Sequence, residues 1–432
     1  MTTIILGGGL AGLSLAHFLK DDSIVLEKEE QTGGLCRSFQ LNGVSYDVGP
    51  HIMFSRNHVV LDEMVSLVET SRIKRSNKIF HKGRLVKYPF ENDLAALEPA
   101  ERDYCLKEFL SNPYEGYGAG NMLHFFLKTF GEGITKLYLQ PYNEKIWKFD
   151  PAFMDTQMVE RIPKPPKEDI IKSAQGVETE GYVHQLYFHY PKKGGIQCLV
   201  DAYRNLASKK AKIVSSVNIR KIGKDKGGWI VETDKGRFSG KTLINCMPLH
   251  ELFQYIEAPD EIRNTLNELK YNSLYTITVQ SKKDNAGDNF ALNFADKNVV
   301  FHRISKLNFL GKNYCLPKGG STIIAEITYR PESYLAGFTD EEIKQKVLDD
   351  LEALKLVKKT DVTAVELRKF KYAYVIYDLS HRKNAAKVLQ YLKGIGIRCC
   401  GRFAEFEYLN MDQTIEHSHN LADEFNGVSH GG

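Results

Sequence analysis

The stretch TTIILGGGLAGLSLAHFL, residues 2–19, changes its period partway. A short β-branched apolar run gives way to three glycines and then to apolar positions at helical spacing. It predicts a strand, a glycine turn and an amphipathic helix. DSIVLEKEE predicts a second strand ending at Glu27. Residues 58–75 read as a helix and its exit, and NKIFHKGRLVKYPFE alternates about a Lys-Gly turn, as a hairpin does. From about 93 to 180 the pattern is largely helical, with ERDYCLKEFL and GITKLYLQPYNEKIW as clear runs. YVHQLYFHYPKKGGIQCLVDAYRNLA then returns to strand, glycine turn and helix. Short strands with Lys-Gly turns follow, and LINCMP predicts a strand that rejoins the first sheet.

Beyond residue 250, SLYTITVQ, FALNFA, NVVFHRIS, STIIAEITY and KFKYAYVIY predict a mixed sheet, with DEEIKQKVLDDLEAL as a helix beside it. GIRCCGRFAEF and a helix from about Asp412 predict a return to the opening lobe. The expected class is α/β. A Rossmann-like dinucleotide lobe built from 1–75, 181–250 and 386–432 is interleaved with a mainly helical substrate-side insert, 76–180, and a mixed-sheet substrate lobe, 251–385.

Composition narrows the partners. The chain has 432 residues, 42% of them hydrophobic, which favours two or more lobes over one compact unit. No run approaches the roughly 18 apolar residues of a membrane span, and the N-terminus carries no basic leader, so no membrane insertion and a cytoplasmic location are expected. Lys and Arg outnumber Asp and Glu by only 58 to 54, which predicts no nucleic-acid partner; the basic stretch KKAKIVSSVNIRKIGKDKGG reads as solvated strand edges. The seven Cys show no CxxC or Cys/His spacing, so free thiols and no metal are expected.

The glycines bring in the chemistry. Gly7, Gly9 and Gly12 form G-x-G-x-x-G between a strand and a helix, the arrangement that lets backbone amides approach a pyrophosphate. Glu27, at the end of the second strand, is spaced to accept the hydroxyls of a ribose. A second cluster, Gly33 and Gly34, would add amides near a phosphate, and Arg37 a cation. This longer cradle favours FAD over NAD. GxSxG, HExxH and a Walker lysine are all missing, which shifts the expected chemistry to the cofactor. Tyr88, Phe90, Tyr142, Asn143 and Trp147 could wall a substrate, although each alone reads as packing. Arg161 closes the helical insert. Arg303 stands in an apolar strand, where a cation needs a polar cleft or an anion.

Taken together, GGGLAG, GGLCRS with DVGPHIMFS, YPFE, PYNEKIW, ERIPKPP, FHYPKKGG, FHR and GRFAEFEYLNMDQ make the chain resemble the flavin-dependent UDP-galactopyranose mutase-like family, within the broader FAD amine oxidase and protoporphyrinogen oxidase-like superfamily. The resemblance implies reduced FAD and a nucleotide-sugar substrate, UDP-linked. It also implies pyranose/furanose ring isomerisation through a flavin N5-sugar adduct, with NAD(P)H or a reductase as electron source, in polysaccharide biosynthesis. It places His51 beside the flavin, with Arg161 and Arg303 on the sugar nucleotide. Asn143, Trp147 and Asn293 fall in the pocket with Tyr88 and Phe90, and Tyr374 and Tyr408 on the diphosphate. Arg402, Met411, Asp412 and Gln413 fall in a C-terminal flavin motif. Gly49-Pro50, His189 and Asn293 depart from the family pattern, leaving UDP, GDP, dTDP and N-acetylated sugars open. An FAD-dependent amine oxidase, desaturase or protoporphyrinogen oxidase-like enzyme, or a noncatalytic flavoprotein, stands as the alternative.

Overall fold

The computed structural model describes residues 2–118, 120–161, 164–179 and 186–428, without the side chains of 160 and 161. Its first sheet is parallel and five-stranded, in the order Ile397–Cys399, Thr242–Asn245, Thr3–Leu6, Ser23–Leu26, Ala211–Val214. The alternation of Thr3–Leu6 explains its double burial. Ile5 packs with Leu15, Val25, Ile244 and Ala422 on one face, while Ile4 and Leu6 join Leu26 and Leu243 on the other. Both faces are covered, as a parallel sheet requires. Helices Leu10–Phe18, Gln197–Ala207 and Met411–Asn426 supply one of the covers. An antiparallel sheet, Ile219–Asp225, Gly228–Thr233 and Gly236–Gly240, contributes Trp229 and Val231 to the core on the other side.

The second large sheet has seven strands, in the order Val362–Val375, Tyr271–Ser281, Ser321–Tyr329, Arg303–Lys306, Ala291–Phe294, Asn77–His81, Arg84–Lys87. All neighbours are antiparallel except Ala291–Phe294 against Asn77–His81. Along Ser321–Tyr329 the side chains divide by period two. Ile323, Ala325 and Ile327 pack with Ile343, Val347 and Leu351 of helix Asp340–Ala353, and the alternate positions, including Glu326, face away from that helix. The predicted hairpin at 77–87 therefore ends this sheet rather than standing in the helical insert.

Three further expectations change. Within 58–75, read as a helix and its exit, the helix is His58–Leu67 and the exit is a strand, Thr70–Lys74. That strand pairs with Tyr187–Pro191, so FHYP lies in a separate two-stranded sheet and does not join the parallel one. NVVFHRIS becomes a strand only from Arg303. In the helical region, Pro99–Leu110 crosses Met122–Ile134 at Gly131, where a Cβ would fall 2.4 Å from the Glu108 carbonyl oxygen. A π-type turn, Thr135–Leu139, then leads into Gln140–Trp147. No described helix is long and apolar enough to cross a membrane.

Buried imidazoles set an expected pH response. Burial lowers the pKa of His51 to about 3 and of His250 to about 4, and also lowers that of His302 and His381. Each folded value lies below the ordinary 6.5, so the stabilising contribution is full above pH 6.5 and is lost as pH falls through the folded values. His417 has the opposite sign. Hydrogen bonding to Glu405 raises it to about 9, so its contribution is full below 6.5 and lost as pH rises through 9. Melting temperatures measured from pH 4 to 9 are expected to fall most steeply on the acid side.

Candidate functional site

Two neighbouring constructions gather the predicted residues. The first is the paired glycine turn. Gly7 has φ +101°, and a Cβ on Gly12 would lie 2.0 Å from the Gly7 carbonyl oxygen, so only glycine lets helix Leu10–Phe18 come so close. Gly33 N donates to Gly8 O at 2.9 Å and ties the two turns together. A Cβ on Gly9 would meet nothing nearer than Gly34 Cα at 3.9 Å, which leaves a shallow space between them. Glu27 holds this edge. Its Oε2 accepts from Gly8 N at 2.7 Å and its Oε1 from Glu29 N at 2.9 Å, with a second lone pair left on each oxygen. Arg37 Nε donates to Gly34 O at 3.0 Å.

The second is a cavity of about 930 Å³. Its wall holds His51, Tyr88, Phe90, Asn143, Trp147, Arg303, Tyr374, Arg402, Tyr408, Met411, Asp412 and Gln413, but none of Gly7, Gly9, Gly12, Glu27, Gly34 or Arg37. Strand register builds its charged part. Arg303 is paired across the sheet with Glu326 on one side and Asn293 on the other. Its Nε and Nη2 donate to the two Glu326 carboxylate oxygens, each at 2.7 Å. Burial alone would lower the Arg303 pKa, but the Glu326 carboxylate outweighs it and keeps the guanidinium charged. Nη1 has no partner among the described residues and stays open to a ligand.

Aromatic rings form the remaining wall. Trp147 meets Tyr374 and Tyr408 edge to face at 5.8 and 6.0 Å, and those two tyrosines stack at 5.7 Å. Asn143 spends its amide on this group: Oδ1 accepts from Trp147 Nε1 at 2.8 Å and Nδ2 donates to Leu139 O at 2.7 Å. It orients Trp147. Tyr138, in the π-type turn, lies four residues before Tyr142 and on the same side. Phe90, Tyr138 and Tyr142 then stack as a column with spacings of 5.0 and 5.1 Å.

His51 lies at the end of a pinned turn. Asp47 accepts from Ser38 Oγ at 2.6 Å, Tyr190 OH at 2.7 Å, Ile196 N at 3.0 Å and His51 N at 3.4 Å. Burial, aided by the Arg402 charge, keeps the imidazole neutral, and its buried Nδ1 has no partner. Across the cavity, helix Met411–Asn426 opens with Gln413 Oε1 accepting from Asn410 N at 3.0 Å, while Asp412 Oδ1 is buried and unpartnered. Arg402 directs Nε and Nη2 to Leu409 O at 2.8 and 2.6 Å and lies 4.8 Å over the Tyr408 ring.

The other predicted residues have different surroundings. Asn293 lies behind the wall and accepts from Tyr142 OH at 3.1 Å, so its reach toward a ligand is indirect. His189 is also off the wall, with Nδ1 3.2 Å from Thr70 Oγ1. Gln413 and Arg402 commit side-chain atoms to the backbone. Arg161 ends a turn, Thr156–Arg161, but its side chain lies outside the described residues. Asp47, Glu91, Tyr138 and Glu326 were not singled out from the sequence. Glu326 carried the same signal as Arg303, a charge within an apolar strand.

The glycine turns, the Glu27 carboxylate and the unpartnered His51 Nδ1 and Asp412 Oδ1 fit FAD: close backbone approach at one end, unmet polar atoms at the other. The chain has an α/β fold with a Rossmann-like N-terminal region. Residues 5–66 match the NAD(P)-binding Rossmann-like domain. Over 69 residues the chain is 36% identical to the uncharacterized protein in nifH2 3'region of Methanothermococcus thermolithotrophicus, 15% of this chain and 67% of that protein, and it belongs to one family with it. Reduced UDP-galactopyranose mutase is similar over 100% of this chain and 96% of that one, at 23% identity and TM-score 0.89. A putative protoporphyrinogen oxidase from Exiguobacterium sp. 255-15 is similar over 99% of both chains, at 16% identity and TM-score 0.78. Putrescine oxidase follows at 13% identity and TM-score 0.68, over 99% of this chain and 100% of that one.

Proposed function

We propose that the protein is a reduced-FAD-dependent mutase that interconverts the pyranose and furanose forms of a nucleotide sugar, with a UDP-hexose as the first substrate to try. The observation that carries this reading is the Arg303–Glu326 pair beside the Trp147–Tyr374–Tyr408 group, on the wall of a cavity that also reaches His51 and the first turn of Met411–Asn426. The similarity to reduced UDP-galactopyranose mutase over nearly both full chains supports it.

In this reading Gly7, Gly9, Gly12, Gly34 and Arg37 hold the pyrophosphate of FAD, and Glu27 its ribose. Met411, Asp412, Gln413 and Arg402 form the flavin end. When bound, reduced FAD supplies a nucleophilic N5 to a sugar carbon. The protein's task is to place the anomeric carbon there and to keep the departing diphosphate close. Arg303 Nη1 donates to that diphosphate, Arg161 adds the second cation, and Tyr374 and Tyr408 donate hydroxyls. His51 stays neutral and positions the flavin without serving as a general base. NAD(P)H or a reductase supplies the electrons.

The test mixes FAD-loaded protein, reduced without oxygen, with UDP-galactopyranose. UDP-galactofuranose is expected to form with no net use of reducing equivalents. No furanose from UDP-, dTDP- or GDP-sugars would remove the reading, and net substrate oxidation would favour an amine oxidase or protoporphyrinogen oxidase-like enzyme instead.

A further inference from the structure

Strand register sets three side chains in one row across the cavity floor. Ser305 pairs with Ala291, and Ala291 with Asn77 on the next strand, so all three share one side of the sheet, and all lie on the cavity wall. Ser305 Oγ and Asn77 Oδ1 are buried and make no hydrogen bond with the described residues. Ala291 between them carries only a methyl group. Two polar atoms that need partners therefore flank a small apolar step.

The row has a defined place along the cavity. Ser305 follows Arg303 by two residues on the same face of the sheet, opposite Ile324 where Arg303 is opposite Glu326. The aromatic group lies the other way. Thr328, two residues beyond Glu326, donates to Lys145 O at 3.2 Å, and Asn272 Nδ2 donates to Trp147 O at 2.6 Å. A ligand whose diphosphate meets Arg303 thus extends in two directions, one toward Trp147 and one over Ser305, Ala291 and Asn77. Past the row the wall carries Phe290, just before Ala291, and Phe54, whose ring lies 5.5 Å from the Arg75 guanidinium.

We propose that this row reads an N-acylamino group on the sugar, so that the substrate is the nucleotide of an N-acetylated hexosamine. The inference rests on the nucleotide-sugar reading above. In a secondary amide the N–H and C=O point in opposite directions. Ser305 and Asn77 are two strand spacings apart, about 9.6 Å between backbones. Across that separation a peptide group in a sheet bonds a neighbour on each side, and an acetamide laid over Ala291 makes the same two bonds. Asn77 Oδ1 accepts the N–H, and Ser305 Oγ donates to the C=O. The acyl methyl then runs along the strand direction toward Phe290 and Phe54. A lone sugar hydroxyl at this point reaches one side chain of the row and leaves the other without a partner.

The experiment titrates UDP, UDP-galactose and UDP-N-acetylgalactosamine into the FAD-loaded full-length protein. The acetamido sugar is expected to bind about tenfold more tightly than UDP-galactose. Ser305→Ala and Asn77→Ala are each expected to lower that preference to about threefold or less. Both are expected to leave the affinity for UDP unchanged, which reports an intact fold and nucleotide site. Equal or weaker binding of the acetamido sugar by the natural protein would overturn the assignment, and so would a tenfold preference that survives in both variants. Tighter binding of UDP-galacturonate than of the acetamido sugar would also overturn it, by assigning this end of the cavity to the Arg75 charge. If UDP, dTDP and GDP all fail to bind, the nucleotide-sugar reading falls and takes this inference with it. UDP binding with no preference between the two sugars removes the N-acyl assignment alone.

Discussion

Gly12→Ala is expected to destabilise the protein by about 3 kcal/mol, the upper end of overpacking costs, and to leave it unable to retain FAD. The new Cβ would lie 2.0 Å from the Gly7 carbonyl oxygen. Neither side can yield cheaply. Gly7 is itself at φ +101°, and any Cβ there would meet the Cys246 carbonyl carbon at 3.1 Å, so the turn is wedged between the helix and the next strand. Helix Leu10–Phe18 would have to move off the sheet, taking Leu13 and Leu15 out of fully buried positions. Thermal melting with and without added FAD measures the effect. Gly9→Ala is the contrast, because its Cβ meets nothing within 3.8 Å. It is expected to keep the melting temperature of the cofactor-free protein while reducing flavin content. Equal melting of the Gly12→Ala and natural proteins would refute the packing argument.

Arg303→Ala is expected to lower stability by about 3 kcal/mol and turnover by about 100-fold or more. The two losses have different origins. The stability loss comes from Glu326, which is 1% exposed and would remain as a buried carboxylate without its bidentate partner. The activity loss comes from the missing Nη1 donor at the cavity. A double variant, Arg303→Met with Glu326→Gln, removes both charges. It is expected to recover most of the melting temperature and none of the turnover. Recovery of turnover in the double variant would show that Arg303 serves only to neutralise Glu326.

The fate of that pair shows how far the sequence could be read. Arg303 stood out because a cation in an apolar strand demands an explanation. Its partner was hidden, since Glu326 is 23 residues away and only strand register brings the two opposite each other. Local pattern fixes which residues alternate but not which strand lies beside which, so FHYP was legible as a strand but its partner Thr70–Lys74 was not. Four strands of the parallel sheet were legible from short apolar runs next to glycine or helix signals, while Ile397–Cys399 was read only as part of a return to that lobe. Tyr138 was not, because it falls inside a run that reads as continuous helix. A π-type turn at Thr135–Leu139 interrupts that run, and Tyr138 lies on the cavity wall with Tyr142. Asn143 lies on the cavity wall, as the sequence led one to expect, but its bonds to Trp147 and Leu139 could not be read there.

The order of strands in the parallel sheet has a consequence during synthesis. The strand Thr3–Leu6 lies at the centre, but its neighbours are Ser23–Leu26 and Thr242–Asn245, and the edge strand is Ile397–Cys399. At about 5–20 residues per second, the last strand leaves the ribosome roughly 20–80 s after the first. Until then Leu10–Phe18 lacks its packing partner, helix Met411–Asn426. The glycine turn is thus translated well before the strand and helix that complete its lobe, so the nascent chain meanwhile exposes an unfinished nucleotide lobe to chaperones and proteases.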